Sequence, residues 1–439
     1  MKATDPLVKP STSRLQRWQW ITVGYLVFGY AGYYLCRSNF SVSLPYIADE
    51  LIARGSNPDR VMKQLGWITT LGTLAYALGK FGGGALADAL GGRRNMLFGM
   101  AGAVGFTWLF AGGGALWVFG VAWFGNRLAQ SFGWPGMVKL ASRWFSPARY
   151  GTVMGILSLS FLFGDAASRY FMRWLFELGL GWRGVFAVAG GVLGILLLAG
   201  IWVLKESPES IGEKAPDSGG GEEDLNTPAL DNHKLPMVRL LSSPTFCLVC
   251  LLSFALTLVR ETFNTWTPTY FVNAVGLGKA EAAGVSALFP LAGGVSVLLA
   301  GWLADRLGRE GRMMFICVGL ALGGAVLAAL AWGHFGGSNR VPTALVMMAG
   351  FLLIGPYSYL AGAVSLDFGG KEGGASASGL VDGVGYIGGM LAGIGFAELR
   401  VSMGWSASFA VLAGVTWGAS LLAALIPLSG RRENRLRFA

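Results

Sequence analysis

Charge is scarce in this chain. Only 13% of its 439 residues are Asp, Glu, Lys or Arg, about half the share of a soluble globular protein. Histidine is rarer still, with only His233 and His334, which leaves no basis for a His-built metal or acid–base centre. The four cysteines are Cys36, Cys247, Cys250 and Cys317. Cys247 and Cys250 form a CxxC, but no second CxxC or His pair accompanies it, so the thiols read as small apolar side chains within apolar runs. No nucleophile constellation appears either. An enzyme is therefore the least favoured class, and no cofactor or metal is expected.

What the chain has instead is apolar length. It is 53% hydrophobic, with a mean hydropathy of +0.53 and 68 glycines. These glycines lie inside the apolar runs, as in closely packed membrane helices. Twelve runs are long enough to span a bilayer, the first at 20–46 and the last at 405–428. The segment before the first run is polar and basic, and that run is long enough to span, so it reads as a first span rather than a cleaved leader. The net charge of +10 invites a nucleic-acid reading, but most of the Lys and Arg fall in alternate connections on one side. That asymmetry is an orientation signal, and it predicts both termini in the cytoplasm. The expected partner is the lipid bilayer, not nucleic acid.

One long polar stretch interrupts the runs, between the sixth and the seventh. Its centre, Asp217-Ser218-Gly219-Gly220-Gly221-Glu222-Glu223-Asp224, reads as a flexible acidic linker. The predicted organisation is a six-helix bundle over 1–204, a cytoplasmic linker over 205–243 and a second six-helix bundle over 244–439 with a basic tail. The fold class is an all-α membrane protein of twelve transmembrane helices in two pseudo-symmetric bundles. The halves also repeat in detail. Gly84, Asp88 and Gly91 precede Arg93 and Arg94; Gly301, Asp305 and Gly308 precede Arg309, at the same spacing. Gly181-Trp182 before the sixth span is echoed by Gly404-Trp405 before the twelfth. Such duplication is a transporter signature. In the repeated loop, Asp88 and Asp305 can accept from Arg93, Arg309 or a helix N-terminus across the seam between the halves, a clasp that holds one conformation closed.

Within the apolar runs, Arg37 and Arg260 stand out. Holding a guanidinium near a bilayer centre costs about 3 kcal/mol. Counted at about 1.5 Å per residue, both lie about 20–25 Å from the cytoplasmic boundary, in the first and seventh spans. Two fork-shaped donors facing each other from two halves suit a doubly charged oxyanion. Lys80 is a third intramembrane cation. Tyr30, Tyr33, Tyr34 and Trp134 offer hydroxyls and ring faces nearby, and Tyr386 and Tyr357 do so less directly. Asp165 and Arg169, one turn apart, read as an i,i+4 ion pair. Glu261 follows Arg260 but diverges from it by about 100° on a helix, so it is not an obvious partner.

Several of these stretches resemble one family. Tyr33-Tyr34-Leu35-Cys36-Arg37-Ser38-Asn39-Phe40, Gly133-Trp134-Pro135 with Lys139, Arg260 followed by Trp266-Thr267-Pro268-Thr269-Tyr270, Gly355-Pro356 and Gly385-Tyr386-Ile387-Gly388-Gly389 are similar to the organophosphate:phosphate antiporter branch of the major facilitator superfamily. The resemblance implies that Arg37 and Arg260 bind a phosphate moiety, that Lys80 attracts it, and that the protein exchanges a small organic phosphate for inorganic phosphate. It also implies a multi-pass protein of the bacterial inner membrane, expected as a monomer. Arg127, in Asn126-Arg127-Leu128-Ala129-Gln130, resembles a superfamily motif and is expected to be structural or gating. The pattern departs from branch members that exchange glycerol-3-phosphate: Phe161 stands near their histidine and Ser38 at their lysine, while Asp165, Arg169 and Asp382 are added. Asp382 in the cavity suggests contact with the organic end of a larger substrate. Two rivals stay open: a membrane sensor of a sugar phosphate, and a proton-coupled transporter of a non-phosphate anion using Asp165, Glu261 or Asp382.

Overall fold

The computed structural model describes residues 13–214, 240–304, 306, 309–333, 335, 337–360 and 364–437. The linker centre 217–224, both histidines and Asp305 lie outside the described residues. The regular elements are helical and no strand occurs among the described residues. In the first half these are α1 (Ser13–Ala53), α2 (Pro58–Leu90), α3 (Gly92–Gly112), α4 (Leu116–Gln130), α5 (Gly133–Trp144), α6 (Pro147–Glu177) and α7 (Trp182–Val203). In the second they are α8 (Pro244–Tyr270), α9 (Lys279–Val285), α10 (Leu288–Ala304), α11 (Arg309–Trp332), α12 (Arg340–Tyr359), α13 (Ser365–Leu391) and α14 (Ile394–Arg437).

These helices make twelve crossings. The fourth is broken into α4 and α5 and the eighth into α9 and α10. The eleventh runs through α13 into the start of α14, which reverses at Gly404, where φ is 78°; a left-handed backbone of this kind favours glycine. Because the number of crossings is even, both ends lie on one face, called here the terminal face; the opposite one is the far face. Judged on length and apolarity alone, α1, α2, α4–α5 and α6 are not among the clear membrane spans, whereas the second half is apolar throughout its crossings. The polar groups of the central cavity sit mainly on those four first-half crossings.

The duplication read from the sequence is also present in the packing. In the first half α1 packs on α6, α2 on α4 and α3 on α7; in the second α8 packs on α13, α10 on α12 and α11 on α14. These are the same three pairings of crossings in each half. The halves meet where α1 faces α8, where α2 faces α13 and α14, and where α6 faces α9 and α10.

Local signals explain where the helices begin and end. Asn57 caps α2, its side chain accepting from the backbone N–H of Asp59 at 2.9 Å and of Arg60 at 3.3 Å. The first N–H groups of α3, on Gly92 and Arg93, donate to the Glu206 carboxylate at 2.9 Å each, the charge preference of a helix N-terminus. On the far face, Arg183 and Trp182 after Gly181 both donate to Glu50 of α1. The Arg183 hydrogen bond holds the Glu50 carboxyl below the usual glutamate range.

The far-face seam is closely fitted. A Cβ on Gly66 of α2 would meet the Ala397 Cβ at 2.7 Å and the Gly393 carbonyl at 3.0 Å. Next to it, Thr70 donates to the Met390 carbonyl at 2.8 Å and accepts from Ile394 N–H at 2.9 Å. Ser41 donates to the carbonyls of Asn264 and Thr265 at 2.7 and 2.8 Å. Arg169 crosses from α6 to donate to Ser286 at 3.0 Å and to the Asn264 carbonyl at 2.9 Å. At the surface Lys63 pairs with Glu398 at 2.6 Å, and Lys279 pairs with Asp49.

The thiols are free. Cys36 and Cys250 are buried as expected of small apolar residues, but Cys247 is exposed on the outer surface of α8.

Candidate functional site

A cavity of about 120 Å³ lies between the halves, against the far-face seam. Its volume is several times what one water molecule needs. Arg37, Arg127 and Arg169 from the first half and Arg260 from the second line it, with Asp165 and Glu261 as the carboxylates. Tyr34 and Tyr386 add hydroxyls. The equal depth expected for Arg37 and Arg260 thus brings both to one cavity.

The four guanidiniums differ in what they touch. Arg169 is fully engaged: its Nε donates to Asp165 at 3.0 Å, and its two other nitrogens hold Ser286 and Asn264. Asp165 also accepts from Ser38 of α1. The predicted Asp165–Arg169 pair is therefore present and extends across the seam. Arg37 makes no ion pair among the described residues. Its Nε donates to Gln130 Oε1 at 2.9 Å and its Nη1 to the Tyr34 hydroxyl at 3.2 Å. Gln130 is itself oriented: its Nε2 donates to the Cys36 carbonyl at 3.0 Å and to Asn126 Oδ1 at 2.6 Å, which turns Oε1 toward Arg37.

Arg260 departs from the sequence expectation. Its Nη2 lies 2.7 Å from Glu261 Oε1, so the neighbouring carboxylate does reach it. Two long side chains that leave a helix about 100° apart can still swing together at their tips. The approach is close but poorly aligned, because Nε and Nη2 of Arg260 have no hydrogen-bond partner. The guanidinium stands 4.2 Å from the Tyr357 ring centroid. Arg127, expected to be structural or gating, forms part of the cavity wall, 6% exposed, with Nη1 buried and without a hydrogen-bond partner. Arg37 and Arg127 both stand over the Tyr76 ring, at 4.7 and 4.6 Å.

Lys80 and Asp382 form a cross-half ion pair at 2.7 Å, so each is the other's partner, outside the residues lining the cavity. Lys80 also lies 4.8 Å from the Tyr386 ring, which does line it. The aromatic set divides. Tyr34 reaches the cavity, but the Tyr33 hydroxyl donates to the Met96 carbonyl at 2.8 Å, pointing away. Tyr30 packs edge-on against Tyr33, Tyr34 and Trp134, and neither it nor Trp134 is among the lining residues. In this arrangement Tyr30 packs directly behind Tyr34, and Tyr33 and Trp134 pack on Tyr30.

Of the clasp expected of the repeated loop, the described residues hold the first-half members, Asp88 and Arg93, and these find partners within their own half. Asp88, 72% exposed at its side chain, pairs with Lys139 of its own half at 2.6 Å. Arg93 donates to the carbonyls of Leu204 and Ile201 at 2.7 Å each, closing the end of α7. Arg309 begins α11, and its side chain is not described. Gln130, Tyr76 and Ser41 had no role in the sequence reading. The available signal for Gln130 was a buried amide in an apolar run, one turn from Arg127.

Relatives fit this architecture. "Membrane sensor protein UhpC" of Salmonella typhimurium is 27% identical, over 96% of this chain and 94% of its own. A "Probable hexose phosphate transport protein" of Chlamydia muridarum is 26% identical over 94% and 91%. A solved bacterial homologue of the human lysosomal transporter Spinster, inward-facing and unoccupied, superposes with a TM-score of 0.73 at 15% identity, over 94% of this chain and 97% of that one. The resemblance to the organophosphate:phosphate branch holds among these relatives. The model of the Major Facilitator Superfamily matches residues 26–393, and the chain belongs to that superfamily.

Proposed function

We propose that this protein carries a phosphorylated small organic anion across the bacterial inner membrane, in exchange for inorganic phosphate. The observation that carries this reading is the single cavity into which Arg37 and Arg260 reach from opposite halves, with donors left for a ligand. A tetrahedral oxyanion presents several acceptors to two planar forks, which suits this arrangement. The relative from Chlamydia muridarum carries hexose phosphate in its name, and the proposal extends that class to this chain.

The mechanism is alternating access. The six-helix units 1–204 and 244–439, joined by the cytoplasmic linker 205–243, rock about the cavity as a monomer with both termini in the cytoplasm. The arrangement described above, closed on the far face, is then the inward-facing one. With no ligand, the unpaired charges on Arg37 and Arg127 resist closure of the other face; a phosphate ester or phosphate neutralises them and lowers that barrier. Phosphate takes the Arg260 donors that the poorly aligned Glu261 leaves without a hydrogen bond. Exchange follows because only the loaded carrier reorients. Phosphate counterflow in proteoliposomes tests this. Counterflow by the wild type supports it; pH-driven uptake of a carboxylate without phosphate exchange sinks it.

The relationship to a membrane sensor supports a second reading, in which the same cavity reads a sugar phosphate without moving it. Ligand binding without counterflow, together with a ligand-dependent signal in cells, would favour that reading.

A further inference from the structure

Arg127 is buried in the cavity wall without a counter-charge of its own. It is 6% exposed and makes no ion pair among the described residues, and its Nη1 has no hydrogen-bond partner. Its charged neighbours are Arg37, which repels it, and Glu261, whose carboxylate is already on Arg260. Burying an uncompensated guanidinium is costly, and packing of its stem does not offset that. The Tyr76 ring face supplies some attraction, but it is shared with Arg37.

The position of Arg127 gives this surplus charge a direction. Gln130, which holds Arg37 Nε, lies three residues after Arg127 on α4. The two therefore share a helix face, about 4.5 Å apart along the axis, with Arg127 on the far-face side. A phosphoryl group clamped between Arg37 and Arg260 leaves Arg127, offset toward the far face and sharing the Tyr76 ring with Arg37, uncompensated.

We propose that Arg127 binds a second anionic group on the transported organic phosphate, a carboxylate or another phosphoryl, at the end remote from the phosphate on Arg37 and Arg260. The inference rests on the organophosphate reading of the cavity and narrows it. The substrate class becomes a short-chain organic phosphate with two anionic ends, rather than a phosphate ester of a neutral polyol.

The test uses two matched probes, glycerol-3-phosphate and 3-phosphoglycerate, which differ by a terminal hydroxymethyl against a carboxylate. Binding of each to the full-length protein in nanodiscs is measured by calorimetry and expressed as a ratio of affinities. The wild type should prefer 3-phosphoglycerate by about tenfold or more, the scale of a charge-assisted contact. Arg127→Gln should bring the ratio to about one, and Arg127→Lys should retain part of the preference. Equal affinities in the wild type, or a preference that survives Arg127→Gln, would overturn the proposal. Should Arg127→Gln not fold, the wild-type ratio and Arg127→Lys still decide it. Failure of the underlying reading looks different: neither ester binds, nor does inorganic phosphate, and both proposals then fall together.

Discussion

The far-face seam and the central cavity use the same residue type in opposite ways. In the seam, Arg169 has a carboxylate, a hydroxyl and a carbonyl on its three nitrogens. In the cavity, two Arg260 nitrogens make no hydrogen bond, one of them only approaching Glu261 out of alignment, and Arg127 has one such nitrogen. A guanidinium with all donors engaged joins two helices; one with donors left over has hydrogen bonds to offer, which is what the proposed function uses. Burial alone does not separate these roles, because Arg169 and Arg127 are both buried. The inventory of partners does.

Stability measurements can break this comparison. Arg169→Met should cause the largest loss, because it strands Asp165 and releases α8 and α9; removing one partner of a buried pair costs about 3–5 kcal/mol. The drop in unfolding temperature in detergent reads it, and Asp165→Leu added to Arg169→Met should recover part. Arg37→Met, by contrast, should leave the unfolding temperature nearly unchanged or raise it. Equal destabilisation by both substitutions would erase the distinction between seam and cavity.

Next in size is the close approach of α2 to the start of α14. Gly66→Leu would drive side-chain atoms into Ala397 and the Gly393 carbonyl, prying the seam apart. A cysteine placed at Thr70, which bridges that seam, should then react faster with a membrane-impermeant thiol reagent from the far face. Unchanged labelling would mean that the seam is not held by this fit.

Smaller effects belong to the surface of the same seam. Glu398→Gln removes the exposed pair with Lys63, worth about 1 kcal/mol or less and screened by salt. Glu50, paired within the first half and not across the seam, offers a comparison by pH. Its carboxyl is held below the usual range by Arg183, so its contribution is present above the unfolded glutamate value and is lost as pH falls through the folded one. Glu50→Gln should flatten the acid limb of an unfolding-temperature profile. A profile with the wild-type slope in that variant would place the acid sensitivity elsewhere.

The sequence carried most of the fold, because crossing a bilayer imposes long apolar runs, and a gene duplication leaves matching loops such as Gly84–Gly91 and Gly301–Gly308. It also carried Arg37 and Arg260, since a charge inside an apolar run needs no partner to be noticed. Pairings were less legible. Lys80 and Asp382 are 302 residues apart, and no local periodicity reports that they meet. Asp88 was expected to reach across the seam but found Lys139 in its own half. Glu261 was set aside on helical angle, an argument about Cα directions that long side chains do not obey. For Arg127 the motif gave a helix position but not the cavity wall that the helix presents.

Phosphate counterflow by proteoliposomes holding the wild type, Arg37→Lys and Arg260→Lys is the most direct measurement of the central claim. A two-guanidinium clamp predicts exchange by the wild type and a loss of about tenfold or more in each variant, because an ammonium keeps the charge but not the bidentate fork. Wild-type rates of phosphate exchange in both variants would contradict it.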